Sequence, residues 1–211
     1  MIKIFSYFCT RNFRKLINIF QIFSRISTLM LYPAKEWEVI AAENNSRKTV
    51  YVRFVAPLLC LMTIASIIGT WLNASRELYS TPFELCRIAI YWIAILWSSL
   101  SAGLYFSSFV ITEIMAQQTG SKNHDKSFAL MAYASGAAYL TIIIVLLFPF
   151  FKELLVLAFY ACYLYWCGIP HLIQIYGQKR MMYGLFSFII VLLIYSLMFF
   201  LFSKILTAIL L

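Results

Sequence analysis

Five long apolar runs follow the first fifty residues of this 211-residue chain, and they constrain its fold more than any other feature. They cover residues 54–72, 88–114, 128–148, 154–175 and 182–211. A helix needs about 20 apolar residues to cross the ~30 Å hydrocarbon core of a bilayer, and each run is close to or beyond that length. Residues 141–148 (TIIIVLLF) lack the alternation of a membrane β-strand. The sequence therefore predicts an all-α, polytopic membrane bundle with five transmembrane helices.

The distribution of charge predicts how the chain is oriented in its membrane. Only 12% of the residues are charged, against roughly 25% in soluble domains, and the net charge is +9. Nine of the 17 Lys and Arg residues precede the first run, which favours contact with anionic lipid headgroups over nucleic acid. Assigned to alternate sides of the membrane, 13 basic residues lie with the N-terminus and four lie opposite. The N-terminus is therefore expected to be cytoplasmic and the C-terminus external.

The N-terminal segment, residues 1–50, is predicted to be a cytoplasmic amphipathic region that precedes the membrane domain of residues 51–211. A retained helix over about residues 11–26 is expected to lie on the cytoplasmic leaflet, with basic and apolar residues on opposite faces. The basic residues expected to bind anionic headgroups are Arg11, Arg14, Lys15 and Arg25. A cleaved transit peptide is the alternative interpretation of this segment.

A second surface helix is predicted over about residues 34–43. Pro33 suits the first turn of a helix, and Trp37 and Ile40 share one face until Asn44 interrupts the pattern. The rings of Trp37 and the neighbouring Tyr32 are expected to lie at the level of the lipid headgroups, where amphipathic aromatic side chains are favoured.

Small residues at helical spacing predict where the transmembrane helices pack closely, since helices in lipid associate through small side chains. The predicted packing residues are Ala65, Gly69, Ser99, Gly103, Ala132 and Gly136. An alternative for the second run is that its hydroxyls line a polar path. Serines in helices can instead bond to carbonyls of the preceding turn.

Two ionisable residues near the ends of predicted spans define a candidate polar site. Glu113 and His171 are both expected near the cytoplasmic side, and they can pair if the second and fourth helices are neighbours. Gln117 and Ser107 complete the candidate site. The alternative is that both ionisable groups simply reach headgroups and water.

Catalytic and metal-binding signatures are missing from the sequence. There is no GxSxG, GxGxxG or P-loop pattern, and no pair of intramembrane carboxylates. The two histidines are too scattered for a metal motif, and the five cysteines form no CxxC pair. The sequence therefore predicts a protein that is not an enzyme, with no cofactor and no bound metal.

Several segments resemble the Yip family of five-span membrane proteins. They are the Pro-led, Trp-bearing segment 32–43, FALMAYASGAAYL at 128–140, Pro149, and YLYWCGIPHLIQI at 163–175 followed by Lys179. The resemblance covers about residues 31–211. The eukaryotic members of that family bind Rab-type small GTPases and act in vesicle traffic, using a longer cytosolic N-terminal region than this chain has. The short basic N-terminus looks more like a bacterial-type member, which implies an inner (cytoplasmic) membrane location.

Two functional hypotheses follow. The first is a non-enzymatic membrane protein that organises membrane or partner proteins; its expected partners are anionic lipids, another protein or a second copy of the chain. The alternative is a small transporter, channel or lipid-handling protein. A transporter is expected to contain a polar cavity lined by Ser99, Ser107, Glu113 and His171, whereas an organising protein is expected to be packed shut.

Overall fold

The computed structural model describes residues 20–73, 82–120, 122–175 and 177–210, and within these ranges every regular element is helical. The predicted all-α fold class is confirmed. The predicted surface helix at 11–26 lies partly outside the described residues, and Arg11, Arg14 and Lys15 lie wholly outside them.

The described helices follow one another with short connections. They are α1 (described over 20–31), α2 (Pro33–Glu43), α3 (Arg47–Val50), a π-helical turn (Tyr51–Val55), α4 (Ala56–Asn73), α5 (Pro82–Thr119), α6 (His124–Ala134), α7 (Gly136–Leu147), a 3₁₀ helix (Pro149–Phe159), α8 (Tyr160–Leu172) and α9 (Gly177–Leu210). The π-helical turn joins α3 to α4, and the 3₁₀ helix leads directly into α8.

Five helical segments are long and apolar enough to cross a membrane, as the sequence predicted. They are Arg47–Leu72, Cys86–Gln117, His124–Leu147, Phe150–Leu172 and Arg180–Ala208. Consecutive segments run in opposite directions, so the bundle has an amino-terminal end, where α3 and α6 begin, and a carboxyl-terminal end, where α9 finishes. The protein is an integral membrane protein with five candidate spans.

Close backbone contact at glycine holds α4 against α7. A Cβ atom added to Gly69 would lie 1.8 Å from the carbonyl oxygen of Leu146, so only glycine permits this approach. At Gly103 in α5, an added Cβ would lie 2.6 Å from the ring of Tyr195 in α9. The structure buries all six predicted packing residues, Ala65, Gly69, Ser99, Gly103, Ala132 and Gly136.

The helices α1 and α2 form a hairpin that packs into the bundle. Its inward face consists of Ile22, Ile26, Leu29, Trp37 and Ile40, all buried. The hairpin lies against α6, α7 and α8: Ile26 is next to Gly136, and the indole of Trp37 is next to Gly168. The Tyr160 hydroxyl in α8 also donates to the Met30 carbonyl at 2.7 Å.

The structure corrects the predicted position of Trp37. Its side chain is 0% exposed and is enclosed by protein, whereas the neighbouring Tyr32 is 61% exposed. The helix itself was predicted correctly, because Pro33 begins α2 and Asn44 ends it in the left-handed conformation, with φ 46°. The apolar face of an amphipathic helix has the same pattern whether it meets lipid or protein, so periodicity alone did not distinguish them.

Candidate functional site

A charged cluster centred on Arg25 joins the hairpin to the bundle. The Arg25 guanidinium donates to Glu36 Oε1 at 3.1 Å and to Glu43 Oε2 at 3.0 Å, both on α2. It also donates to the Tyr133 hydroxyl on α6 at 3.3 Å, and its carbon lies 5.5 Å from the centre of the Tyr133 ring. Asn45 donates to Glu43 at 2.8 Å. One cation therefore fixes α1, α2 and α6 relative to one another.

The electrostatics of the cluster keep Arg25 charged. Burial alone lowers the pKa of its guanidinium, but the hydrogen bond to Glu43 and the charge contacts with Tyr133, Glu43 and Glu36 outweigh burial and raise the pKa above its ordinary value. A raised pKa contributes stability at every pH below the ordinary arginine value, and this contribution is lost only as the pH rises beyond it. Arg25 had been expected to bind lipid headgroups, but the structure pairs it with internal carboxylates.

A hollow of about 850 Å³ opens beside the Arg25 cluster. Its lining carries Arg25, Glu36 and Glu43 together with Arg53, whose side chain is exposed. Two positive and two negative side chains therefore border the hollow, and its charge is close to balanced. This is a polar surface feature of the hairpin and the start of α4.

Further ion pairs lie at the amino-terminal end of the bundle. Arg47 Nε and Asp125 Oδ1 are 3.1 Å apart, and the Arg47 backbone N–H donates to the same oxygen. Lys122 Nζ lies 2.6 Å from Glu113 Oε2. These pairs join the start of α3 to the start of α6, and the end of α5 to the connection that follows it.

The predicted polar site is only partly assembled. Glu113 pairs with Lys122, and among the described residues no hydrogen bond joins it to His171, which lies half-buried in the last turn of α8. Gln117 is exposed, whereas Ser107 is fully buried inside the bundle. The structure therefore does not bring these four side chains together around one cavity.

Most serine and threonine hydroxyls of α5 are satisfied by its own backbone, and Ser101 is bonded to the Tyr51 hydroxyl instead. Ser99 donates to the Ile95 carbonyl at 2.6 Å, and Ser107 donates to the Gly103 carbonyl at 2.6 Å. Ser98, Ser108 and Thr112 bond to preceding carbonyls in the same way. Hydrogen bonds of this kind fill the donor capacity that a polar path would offer to a solute.

A side chain from α9 completes the backbone hydrogen bonding of α8. Pro170 lies inside α8 and has no N–H, so the carbonyl of Trp166 loses its normal helical donor. Arg180 supplies one, since its Nη2 donates to that carbonyl at 2.7 Å and its guanidinium lies 5.0 Å from the centre of the Trp166 ring. This hydrogen bond links α8, one turn before Pro170, to the start of α9.

Sequence reasoning did not find the carboxylates that pair with Arg25. A usable signal was present, because Glu36 and Glu43 are seven residues apart and share one face of α2. The sequence around Tyr133 gave no comparable signal that this residue contacts Arg25. Within the described ranges, no three His, Cys, Asp or Glu side chains come together in an arrangement that could hold a metal ion.

These features define a class, the five-span helical membrane proteins whose N-terminal helices pack against the bundle. The Yip1 domain family matches residues 27–200, so the match includes the last five residues of α1, all of α2, the first four spans and the fifth span as far as Phe200. The chain belongs to the Yip1 domain family. No curated protein and no solved structure matches it.

Proposed function

We propose that this Yip1-domain protein is not an enzyme and that it organises membrane or partner proteins from the amino-terminal end of its bundle. The observation that carries this proposal is the docking of the hairpin against the bundle, with Trp37 fully buried against Gly168. Satisfied hydroxyls along α5 also favour a packed bundle over a conducting one.

The exposed side of the same end offers a surface for a partner. Val39 and Val52 are exposed there, and the polar hollow with Arg53 lies close by. Exposed apolar side chains beside charged ones can supply the apolar centre and the polar rim of a protein interface. The excess of basic residues in this part of the chain supports a cytoplasmic orientation in an inner (cytoplasmic) membrane, with anionic lipids as neighbours.

Purification from native membranes in a mild detergent tests the partner proposal. We expect the wild-type chain to retain a recurring protein partner, and Arg53→Glu to lose it while the protein stays monodisperse. Lys152→Glu is the matched control, because it reverses an exposed charge at the opposite end of the bundle. Equal retention by all three proteins would contradict the proposed surface.

A flux assay in proteoliposomes tests the other half of the proposal. We expect no movement of ions, solutes or lipids above that of empty vesicles. Transport that is abolished by Glu113→Gln would overturn the organising role and establish a transporter.

A further inference from the structure

The helices α8 and α9 separate towards the carboxyl-terminal end. They meet at Trp166 and Gly184, where a Cβ atom added to Gly184 would lie 2.9 Å from the indole of Trp166. They also meet where the Tyr165 hydroxyl lies 2.7 Å from Ser187 Oγ. Beyond these contacts α9 packs chiefly along α5. A groove of about 730 Å³ remains between α9, α8, α7 and α5.

The groove is apolar and as long as half a bilayer. Its walls include Ile142, Phe159, Val191, Phe188 and Phe200. From Phe188 to Phe200 the helix α9 rises ~18 Å, compared with ~15 Å for one leaflet of hydrocarbon. The groove lies within the spans, so hydrocarbon rather than water is the medium that meets it.

The few polar atoms on the groove wall offer little to a polar solute. Ser99 is bonded to its own helix and Tyr165 to Ser187. The hydroxyls of Tyr139 and Tyr195 are buried beneath the wall, where each neighbours the other and they lie close to Ser135 and Ser107, so they are not presented to a solute in the groove. Water would need several polar partners at one place, so an apolar occupant is favoured over water.

A cation stands at the mouth of the groove. Lys204 lies one helical turn beyond Phe200, and its Nζ is 5.7 Å from the centre of the Phe200 ring. Lys204 is exposed and near the end of the last span, where a lipid phosphate lies in a bilayer. An apolar groove the length of a leaflet, with a positive charge at its outer end, matches the chemistry of a phospholipid.

We propose that this groove is a phospholipid site that takes one acyl chain from the leaflet at the carboxyl-terminal end, with the lipid phosphate paired to Lys204. The site differs from general lipid contact because α5, α7, α8 and α9 line the groove and Lys204 lies at its mouth. The bound chain fills the gap between α8 and α9 and supports the position of α9.

Photolabelling of the full chain tests this site. The probe is a phospholipid with a diazirine in the middle of one acyl chain, added to vesicles of phosphatidylethanolamine and phosphatidylglycerol. We expect labels to concentrate on Ile142, Phe159 and Phe199, and to be sparse on Leu193 and Val156, which are exposed and apolar but lie outside the groove. Equal labelling of all five residues, or crosslinks between two copies through the groove, would overturn the proposal.

Two matched pairs of variants sharpen the test. Ala138→Trp fills the groove and is expected to lower labelling there about tenfold, whereas Ala208→Trp, on an exposed position outside the groove, leaves it unchanged. Lys204→Gln is expected to lower labelling about fivefold and Lys35→Gln not at all. Labelling that is insensitive to Lys204→Gln would contradict the phosphate contact. If Ala138→Trp does not fold, the wild-type label map decides the proposal.

Discussion

The two halves of the bundle are held together in different ways. The amino-terminal half has a docked hairpin, a shared cation and ion pairs between helices. In the carboxyl-terminal half α9 leaves α8, and Leu197, Phe200 and Leu201 of α9 are exposed. Ion pairs and the docked hairpin therefore distinguish the amino-terminal half, whereas lipid covers the exposed side chains of α9 in the other half.

The difference follows from the physics of a bilayer. Lipid tails are as apolar as leucine, so exposing Leu or Phe on α9 costs little and burial does not by itself drive helices together. Helix positions are fixed where small residues, ion pairs or hydrogen bonds act. The ion pairs lie at the end where we propose that a partner binds, whereas the contact of Gly69 with Leu146 and the hydrogen bonds of the Tyr91 hydroxyl to Ser203 and Thr207 lie towards the other end.

The largest expected effect is the loss of the buried indole in the amino-terminal half. Trp37→Ala removes a fully buried ring and should lower the free energy of unfolding by about 3–5 kcal/mol. Trp71→Ala is the matched control, since Trp71 is 73% exposed near the carboxyl-terminal end and should change little. Denaturation of both variants in detergent micelles measures their free energies of unfolding. Equal stabilities of the two variants would contradict the difference between the two halves.

The Arg25 cluster gives the next effect. Arg25→Met leaves two carboxylates without their shared cation and should cost about 1.5–3 kcal/mol. Because the pKa of Arg25 is raised, the guanidinium stays charged at any neutral or moderately alkaline pH, so alkali up to the ordinary arginine value should not mimic the mutation. Arg53→Met, at an exposed position on the same hollow, is the control. Equal costs for the two variants would mean that the ion pairs do not hold the hairpin.

The link between α9 and α8 predicts a coupling between two residues. Arg180→Met should cost about 1–3 kcal/mol in the natural sequence, because the Trp166 carbonyl loses its donor. In a Pro170→Ala background the residue at position 170 regains an N–H, so the same change should cost less. A double-mutant cycle should give a coupling of at least ~0.5 kcal/mol. Additive costs would show that Arg180 does not replace the donor missing at Pro170.

The smallest effect compares two fully buried serines. Ser187→Ala breaks the bond between α8 and α9 and should cost about 0.6 kcal/mol, which is the average for such bonds in membranes. Ser107→Ala removes a hydroxyl that donates only within α5 and should cost less. Thermal unfolding of both variants provides the comparison. A larger loss of stability for Ser107→Ala than for Ser187→Ala would favour a functional polar path along α5.

The sequence predicted the parts of the fold that depend on length and hydropathy. All five spans were expected, and α2 begins at Pro33 and ends before Asn44, as turn chemistry requires. Span ends were less accurate: the 3₁₀ helix begins at Pro149, earlier than the predicted start of the fourth span. Proline marks an interruption of a helix, but it does not say which side of the break stays inside the membrane.

The candidate site was harder to predict because it depends on contacts between distant segments. Arg25 is 108 residues from Tyr133, and no local pattern connects them. The positive charge of Arg25 is compatible with lipid headgroups and with internal carboxylates alike. Pairing of Glu113 with His171 was expected only if the second and fourth spans are neighbours, and Lys122, nine residues from Glu113, forms the observed ion pair.

The most direct test of the whole account places one reporter at each terminus of the full chain, each active in only one compartment. If the chain crosses the membrane five times and the hairpin end is cytoplasmic, the N-terminal reporter gives a cytoplasmic signal and the C-terminal reporter gives an external signal. Signals from the same compartment at both termini would contradict the odd number of spans, and with it the assignment of the two ends of the bundle.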